Sequence, residues 1–172
     1  MIKLVSLYIL VYTMRLTELT ALFDKNKIPY CVVGGYAVAL HGVPRGTIDI
    51  DFLTSLTEKS LTQLENVLKN VGYVSRIPVS AQDIARFRIE FIKNKNLIAW
   101  SFVHNKNPID VIDILITIDI TEVQIEKIKV GNQKINLISL LDLIKMKKQA
   151  GRRQDLEDVR HLEVIKNEKK KS

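Results

Sequence analysis

The chain has 172 residues, of which 26 are basic and 19 acidic, giving a formal net charge of +7. A hydrophobic content of 47% suffices for a sizeable core and argues against wholesale disorder. The single cysteine, Cys31, excludes an intramolecular disulfide and a zinc cluster built from thiolates, and it fits a reducing cytoplasm. The positive charge favours polyanionic partners such as nucleotides or RNA.

We divide the chain into an apolar N-terminal extension (1–13), a domain (14–168) and a basic tail (169–172). The apolar run that starts at Leu4 and ends at Tyr12 is shorter than the roughly 20 residues that a membrane-spanning helix needs. We therefore expect no membrane partner and a cytoplasmic location. The extension is expected to pack on the domain as a helix or strand, and translation from Met14 is the alternative.

Helical and strand patterns are mixed along the domain, which indicates an α+β (mixed α/β) fold with central strands flanked by helices and a helical C-terminus. Apolar spacing and capping residues predict helices at 14–26, 36–41, 57–71, 81–92, 140–150 and 154–166. Alternating or β-branched runs predict strands at 29–33, 47–53, 97–104 and 109–117. A hairpin that joins 125–130 to 133–138 is predicted around Gly131.

Two aspartates interrupt the apolar run of the predicted strand 47–53. Side chains alternate between the faces of a strand, so Asp49 and Asp51 project together while Ile48, Ile50 and Phe52 are expected to hold the strand in the core. The α-carbons of the two aspartates are about 6.6 Å apart at 3.3 Å per residue. Like charges this close repel each other, and a divalent cation such as Mg²⁺ or Mn²⁺ removes that repulsion.

A pair of glycines, Gly34 and Gly35, follows the predicted strand 29–33 directly. Glycine lets the backbone approach a ligand closely, because there is no Cβ to interfere. The helix that follows would direct its free N–H groups toward a phosphate group. A tight strand-to-helix turn without any ligand is the alternative explanation.

The run Val33-Gly34-Gly35, a spacer of thirteen residues and Asp49-Ile50-Asp51-Phe52 together resemble the signature of the polymerase-β-like nucleotidyltransferase superfamily. The longer string GGYAVALHGVPRGTIDIDFLT is similar to small bacterial members, including the toxin-type nucleotidyltransferases of abortive-infection systems. The resemblance implies the nucleotidyltransferase fold, which is a central mixed β-sheet flanked by helices.

The same resemblance implies a third carboxylate on a neighbouring strand. In the run PIDVIDIL, Asp113 fits the family pattern better, and Asp110 is the alternative. By resemblance, Asp49 and Asp51 would hold two metal ions, with the nucleoside triphosphate lying over them and over the glycine pair. Asp113 would help bind the catalytic metal and assist deprotonation of the attacking hydroxyl.

The C-terminal segment also resembles these enzymes, through a Leu-Ile-x-x-Lys helix followed by Gly-Arg-x-x-Asp-Leu. A lysine there would contact the triphosphate; we expect Lys147 first and Lys145 second, and a solvated basic helix face is the alternative. Arg152 is expected to bind Asp155 or a nearby carboxylate. Arg45 would either reach phosphate or brace its own loop.

The resulting hypothesis is a Mg²⁺- or Mn²⁺-dependent transfer of a nucleoside monophosphate from a nucleoside triphosphate to an acceptor hydroxyl. The acceptor could be the 3′ end of a tRNA or another RNA, a protein or a small molecule. The resemblance also implies a toxin that a cognate antitoxin protein would silence. The alternative is a non-catalytic module of a toxin–antitoxin pair that binds a nucleotide or a partner.

Overall fold

The computed structural model describes residues 15–169, so the predicted extension 1–13 and most of the tail 169–172 lie outside the described residues. Residues 15–25 are helical and form α1. The other helices are α2 (Gly34–Leu40), α3 (Glu58–Asn70), α4 (Ala81–Lys95), α5 (Leu140–Ala150) and α6 (Arg153–Lys169). The strands are β1 (Tyr30–Val32), β2 (Ile50–Thr54), β3 (Tyr73–Ser75), β4 (Ala99–His104), β5 (Asn107–Leu115), β6 (Ile125–Val130) and β7 (Gln133–Ile138).

The seven strands form one mixed sheet in the order β3-β4-β5-β2-β1-β7-β6. Two neighbouring pairs are parallel, β2 with β5 and β1 with β7, and the other pairs are antiparallel. The predicted mixed α/β fold is therefore confirmed. No helix in residues 15–169 is long and apolar enough to cross a membrane.

Aromatic side chains from α1 and the central strands form the centre of the core. Phe23 of α1 packs edge-on against Phe52 with ring centroids 5.1 Å apart, and Tyr30 contacts both rings. Trp100 and Phe102 of β4 are fully buried, as their shared strand face predicts, and the Trp100 indole N–H donates to Ser75 at 3.0 Å. These contacts fix α1 and the outer strands against the central strands.

The prediction for the aspartate strand is wrong at its first half. Regular β2 begins at Ile50, not at residue 47, and Ile48 is 47% exposed instead of holding the strand in the core. Leu53, which alternation places on the face of Asp51, is fully buried. Burial does not alternate along the second half of β2, because Phe52, Leu53 and Thr54 are all fully buried. Asp49 consequently lies in an irregular segment just before the strand.

Several local signals in the sequence are confirmed. Ser80 caps α4 and Ser139 caps α5, each through its hydroxyl oxygen, which accepts from a backbone N–H of the first turn. Gly151 ends α5 in the left-handed region, with a φ of 66°. The hairpin of β6 and β7 pairs Val130 with Gln133 around a two-residue turn. Gly151 ends α5 two residues before α6 begins at Arg153, and the two helices pack together.

Candidate active site

Two of the predicted carboxylates are direct neighbours in the sheet. In the parallel register of β2 and β5, Asp51 lies opposite Asp113, and in the antiparallel register of β4 and β5, Ser101 lies opposite Asp113. Opposite residues of adjacent strands project from the same face. A polar row therefore crosses three strands of an otherwise apolar sheet.

Burial and the charges of neighbouring aspartates raise the pKa values of both carboxyl groups. The pKa of Asp51 is raised to about 7, chiefly by burial and then by the charges of Asp113 and Asp49. A hydrogen bond from the backbone N–H of Gly35 and the charge of Lys147 oppose this shift. The ionised pair is therefore costly in the absence of a counter-charge.

The carboxyl group of Asp113 is the less satisfied of the two. Its pKa is raised by burial first, and by the charge of Asp49, against a hydrogen bond from the Ser101 hydroxyl and the positive charge of Arg76. One oxygen, Oδ1, is buried and has no hydrogen-bond partner. A carboxylate oxygen without a hydrogen-bond donor is a group that a hard cation could bind, because hard cations prefer oxygen ligands.

Asp49 differs from the other two aspartates because its residue is exposed. Its backbone carbonyl accepts a hydrogen bond from the Thr47 hydroxyl at 3.5 Å. Residues 15–169 contain no group of three or more His, Cys, Asp or Glu side chains already gathered in metal-ligating geometry. The structure thus brings Asp51 and Asp113 together, and Asp49 interacts with them electrostatically from the rim.

The glycine pair packs directly against this carboxylate row. Gly34 has a φ of +63°, and a Cβ added to it would overlap the carboxylate of Asp51. A Cβ on Gly35 would lie 2.7 Å from the Thr47 side chain. Glycine is therefore required at 34 by backbone conformation and by space, and at 35 by space. The first turn of α2 lies beside the carboxylates. This agrees with the predicted order of a strand, then the glycine pair, then a helix.

The predicted triphosphate ligand Lys147 lies in a buried ion-pair cluster between α5 and α6. Its ammonium group donates to Asp155 Oδ1 at 3.0 Å and to Asp158 Oδ2 at 2.7 Å, and only 7% of its side chain is exposed. Lys147 is therefore not part of a solvated basic helix face. Lys145, the second candidate, is exposed and does lie on such a face.

Two arginines join the cluster from its rim. Arg152 donates from Nε to Asp155 Oδ2 at 2.6 Å, which is the partner expected from the sequence, and 78% of its side chain is exposed. Its guanidinium also interacts electrostatically with Asp51. Arg45 lies 3.4 Å from Asp158 Oδ1 and donates to the backbone carbonyl of Gly46, so it braces the loop that leads to Asp49.

Asp110, the alternative third carboxylate, has other partners. It forms an ion pair with Arg15 of α1, and it accepts a hydrogen bond from the Tyr73 hydroxyl at 2.8 Å. Arg15 also donates to the backbone carbonyls of Ile48 and Val111 at 3.0 and 2.7 Å. Of the two candidates, only Asp113 lies opposite Asp51 in the sheet register.

The sequence did not single out three polar residues around the aspartates, namely Arg15, Arg76 and Ser101. Ser101 borders Asp113 only because β4 and β5 pair in one particular register. Arg76 follows β3, a three-residue strand that no periodic pattern predicted, and its backbone N–H donates to Ser101 at 2.9 Å. No motif or spacing connects these residues to the aspartates in the sequence.

The family match identifies the class of protein to which this fold and site belong, the nucleotidyltransferases. The chain belongs to the family described as nucleotidyl transferase of unknown function (DUF2204), whose model matches residues 12–172. It is therefore an enzyme of the nucleotidyltransferase class, and the resemblance in the sequence is confirmed at the level of the family. A search of curated proteins gives no match.

Solved structures with the same fold include an antibiotic adenylyltransferase and an antibiotic-resistance factor. The lincosamide antibiotic adenylyltransferase LnuA, bound to lincomycin, is 16% identical over 87% of this chain and 95% of its own, with a TM-score of 0.59. The antibiotic-resistance factor ANT(2″)-Ia is 13% identical over 94% and 92%, also with a TM-score of 0.59.

A third solved structure is an antigenic nucleotidyltransferase-like protein from Paracoccidioides brasiliensis. It is 16% identical over 87% of this chain and 74% of its own, with a TM-score of 0.57. At these identities the three similarities establish the nucleotidyltransferase fold and leave the substrate open.

Proposed function

We propose that this enzyme transfers a nucleoside monophosphate from a nucleoside triphosphate to an acceptor hydroxyl, with Mg²⁺ or Mn²⁺ bound at the aspartates. The observation that carries the proposal is the pairing of Asp51 with Asp113 across parallel strands. Two half-buried aspartates with raised pKa values, one with a buried oxygen that has no hydrogen-bond partner, form a donor set that fits a hard divalent cation. Asp49 would complete the ligand set from the rim.

A divalent cation bound here would neutralise the carboxylates and stabilise the charge that develops on the phosphoryl oxygens. The acceptor hydroxyl oxygen forms a new bond to the α-phosphorus, and the bond from that phosphorus to the oxygen of the β-phosphate breaks. Pyrophosphate leaves with the electron pair, and Asp113 helps remove the proton of the hydroxyl. Most of the rate acceleration would come from positioning and electrostatics.

The chain's own residues divide the site into two sides. Gly34 and Gly35 lie against Asp51, and the exposed guanidinium of Arg152 interacts with the same carboxylate, so the triphosphate would bind on this side. Ser101 and Arg76 adjoin Asp113 on the other side, where the acceptor would enter. Lys147 would act on the triphosphate through the cluster that holds Arg152, because its own ammonium group is already bound by two carboxylates.

The test presents three classes of acceptor to the enzyme. Each [α-³²P]nucleoside triphosphate is incubated with Mg²⁺ and tRNA, with cellular protein, or with aminoglycoside and lincosamide antibiotics. The net charge of +7 and Arg76 favour RNA, whereas the antibiotic adenylyltransferases with this fold favour a small molecule. We expect wild type to label one of the three acceptor pools. Asp113→Asn should label none of them. Equal labelling by both proteins, or none by wild type in any pool, would overturn the proposal.

Transfer of a nucleotide to an essential RNA would stop translation, which is the chemistry of a toxin held in check by an antitoxin protein. The proposal extends to this role if tRNA is the labelled pool. Induced expression of wild type should then arrest growth, and Asp113→Asn should not. Growth that is unaffected by an enzyme known to label tRNA in vitro would contradict the toxin role while leaving the transfer reaction intact.

A further inference from the structure

The side chain of Arg15 connects the N-terminal helix to two strands of the candidate site. Its two terminal nitrogens donate to the carbonyl of Ile48 at 3.0 Å and to the carbonyl of Val111 at 2.7 Å, while one of them also pairs with the Asp110 carboxylate. The Tyr73 hydroxyl donates to that carboxylate. A planar guanidinium can satisfy such a set of acceptors at once because its N–H groups form a rigid fork.

These contacts lie just beyond the end of the hydrogen-bonded ladder between β2 and β5. The ladder pairs Ile50 with Ile112 and Asp51 with Asp113, and continuing its register places residue 48 opposite Asp110. No regular strand pairing includes residue 48, since β2 begins at Ile50. Arg15 therefore links the two segments within two residues of the point where their strand pairing ends.

Asp49 lies between these two points of attachment. On its C-terminal side the backbone is fixed by the strand pairing of Ile50, and on its N-terminal side by the Arg15 hydrogen bond to Ile48. We propose that Arg15 is a positioning residue, which holds the exposed Asp49 in place beside Asp51 and Asp113. The inference rests on the proposed function, because it assigns Asp49 a part in metal binding and transfer.

The test compares Arg15→Lys and Arg15→Met with Leu19→Ala. Lysine keeps the positive charge but loses the fork, and methionine loses both. Leu19 is a buried residue of the same helix, 5% exposed, and its side chain is apolar, so its truncation loosens α1 without removing a hydrogen bond to Ile48 or Val111. Three quantities are measured for each protein: the melting temperature, the dissociation constant for Mn²⁺, and kcat for nucleotidyl transfer.

We expect both Arg15 variants to lose about 10- to 100-fold in kcat or in Mn²⁺ affinity, the usual effect of removing a residue that orients a metal ligand. Leu19→Ala should lower the melting temperature at least as much as the Arg15 variants do. Its kcat and its dissociation constant for Mn²⁺ should stay within about threefold of wild type, because it leaves the geometry of the metal ligands intact. If the losses in the Arg15 variants are no greater than in Leu19→Ala, Arg15 stabilises the fold only and the inference is wrong.

Amide hydrogen exchange separates this inference from the proposed function. Exchange at residues 47–51 should be faster in Arg15→Lys than in Leu19→Ala, whether or not the protein turns over nucleotide. If wild type shows neither Mn²⁺ binding nor transfer, the proposed function and the catalytic part of the inference both fail, and the exchange data still decide whether Arg15 holds this segment. Unchanged exchange in an active enzyme would overturn the positioning role alone.

Discussion

Asp51 and Asp113 lie side by side on adjacent parallel strands, in the same register and on the same face of the sheet. Strands in a sheet are about 4.8 Å apart, so the two half-buried carboxyl groups lie close to each other. Removal from water and mutual repulsion both disfavour their ionised forms, and the pKa of Asp51 rises to about 7. The ionised pair therefore costs free energy in the folded protein, and we propose that a bound cation offsets this cost.

The raised pKa of Asp51 predicts how stability depends on pH in the absence of metal. An aspartate titrates near 3.8 in the unfolded chain and near 7 in this folded site, so between these values the folded state holds the extra proton. The contribution of the Asp51 carboxyl to stability should therefore be highest below about pH 4. It should fall as the pH rises toward about 7 and level off above that. Thermal melts in a chelator, over this pH range, measure the effect.

The matched variant for this experiment is Asp51→Asn, which cannot ionise. Its melting temperature should fall less between about pH 5 and about pH 8 than that of wild type, because one destabilising ionisation is removed. A steeper fall in the variant would contradict the assignment of the raised pKa to Asp51.

A divalent cation should stabilise wild type more at high pH than at low pH. Protonated carboxyl groups are poor ligands, and the raised pKa of Asp51 means that its proton must be lost before a cation can bind. Adding Mg²⁺ or Mn²⁺ should raise the melting temperature at about pH 8 and change it little at about pH 5. An equal rise at both pH values, or a rise retained in Asp113→Asn, would point to binding elsewhere on the molecule.

Replacement of Gly34 should be severe at the site. Gly34→Ala forces a side chain into the left-handed region and drives its Cβ into the Asp51 carboxylate. We expect a loss of about 1 to 3 kcal/mol in the free energy of unfolding, together with loss of transfer. Gly46→Ala is the control, because a Cβ there meets nothing within 4 Å. Similar stability of the two variants in urea titrations would contradict the close packing of Gly34 on Asp51.

The buried cluster around Lys147 gives a contrast between two lysines of one helix. Lys147→Met would leave Asp155 and Asp158 with only Arg152 and Arg45 as charge partners, so we expect a loss near the lower end of the roughly 3 to 5 kcal/mol that breaking a buried ion pair costs. Lys145→Met, on the exposed face, should change the free energy of unfolding by less than about 0.5 kcal/mol. If Lys147→Met were as stable as wild type and only raised KM for the triphosphate, Lys147 would be a direct phosphate ligand.

Arg152 should contribute to triphosphate binding. Its side chain is 78% exposed, its Nε is fixed by Asp155, and its charge interacts with Asp51. Arg152→Gln should weaken nucleotide binding about tenfold, the effect of losing one charge-assisted contact. The neighbouring Arg153→Gln removes the same charge from the start of α6 and should have little effect. Calorimetry with a non-hydrolysable triphosphate distinguishes them, and equal weakening in both would indicate a general charge effect.

Local signals in the sequence predicted most of the secondary structure. Serine caps, the left-handed glycine at 151 and the Gly131-Asn132 turn depend on neighbouring residues, and each is where the sequence placed it. The strand β3 was missed because Tyr73–Ser75 is too short for a periodic pattern and forms through pairing with β4. The exposure of Ile48 was missed because alternation cannot tell where a strand begins.

The candidate site was predictable only in its motif residues. Asp49, Asp51, Gly34 and Gly35 are close in the chain, and their relation follows from strand and turn geometry. Arg15 contacts Val111 across 96 residues of sequence, so no local pattern identifies it. The burial of Lys147 likewise depends on how α6 packs against α5, because Asp155 and Asp158 belong to the second helix of that pair.

The most direct test of the central claim follows the phosphorus atoms of the substrate. Wild type and Asp51→Asn/Asp113→Asn are incubated with Mg²⁺ and the acceptor pools, in parallel with nucleoside triphosphate labelled at the α- or at the γ-phosphate. We predict that wild type transfers the α-label to an acceptor and releases the γ-label as pyrophosphate. The double variant should do neither. Transfer of the γ-label to the acceptor, or α-transfer that survives in the double variant, would contradict nucleotidyl transfer by the Asp51–Asp113 pair.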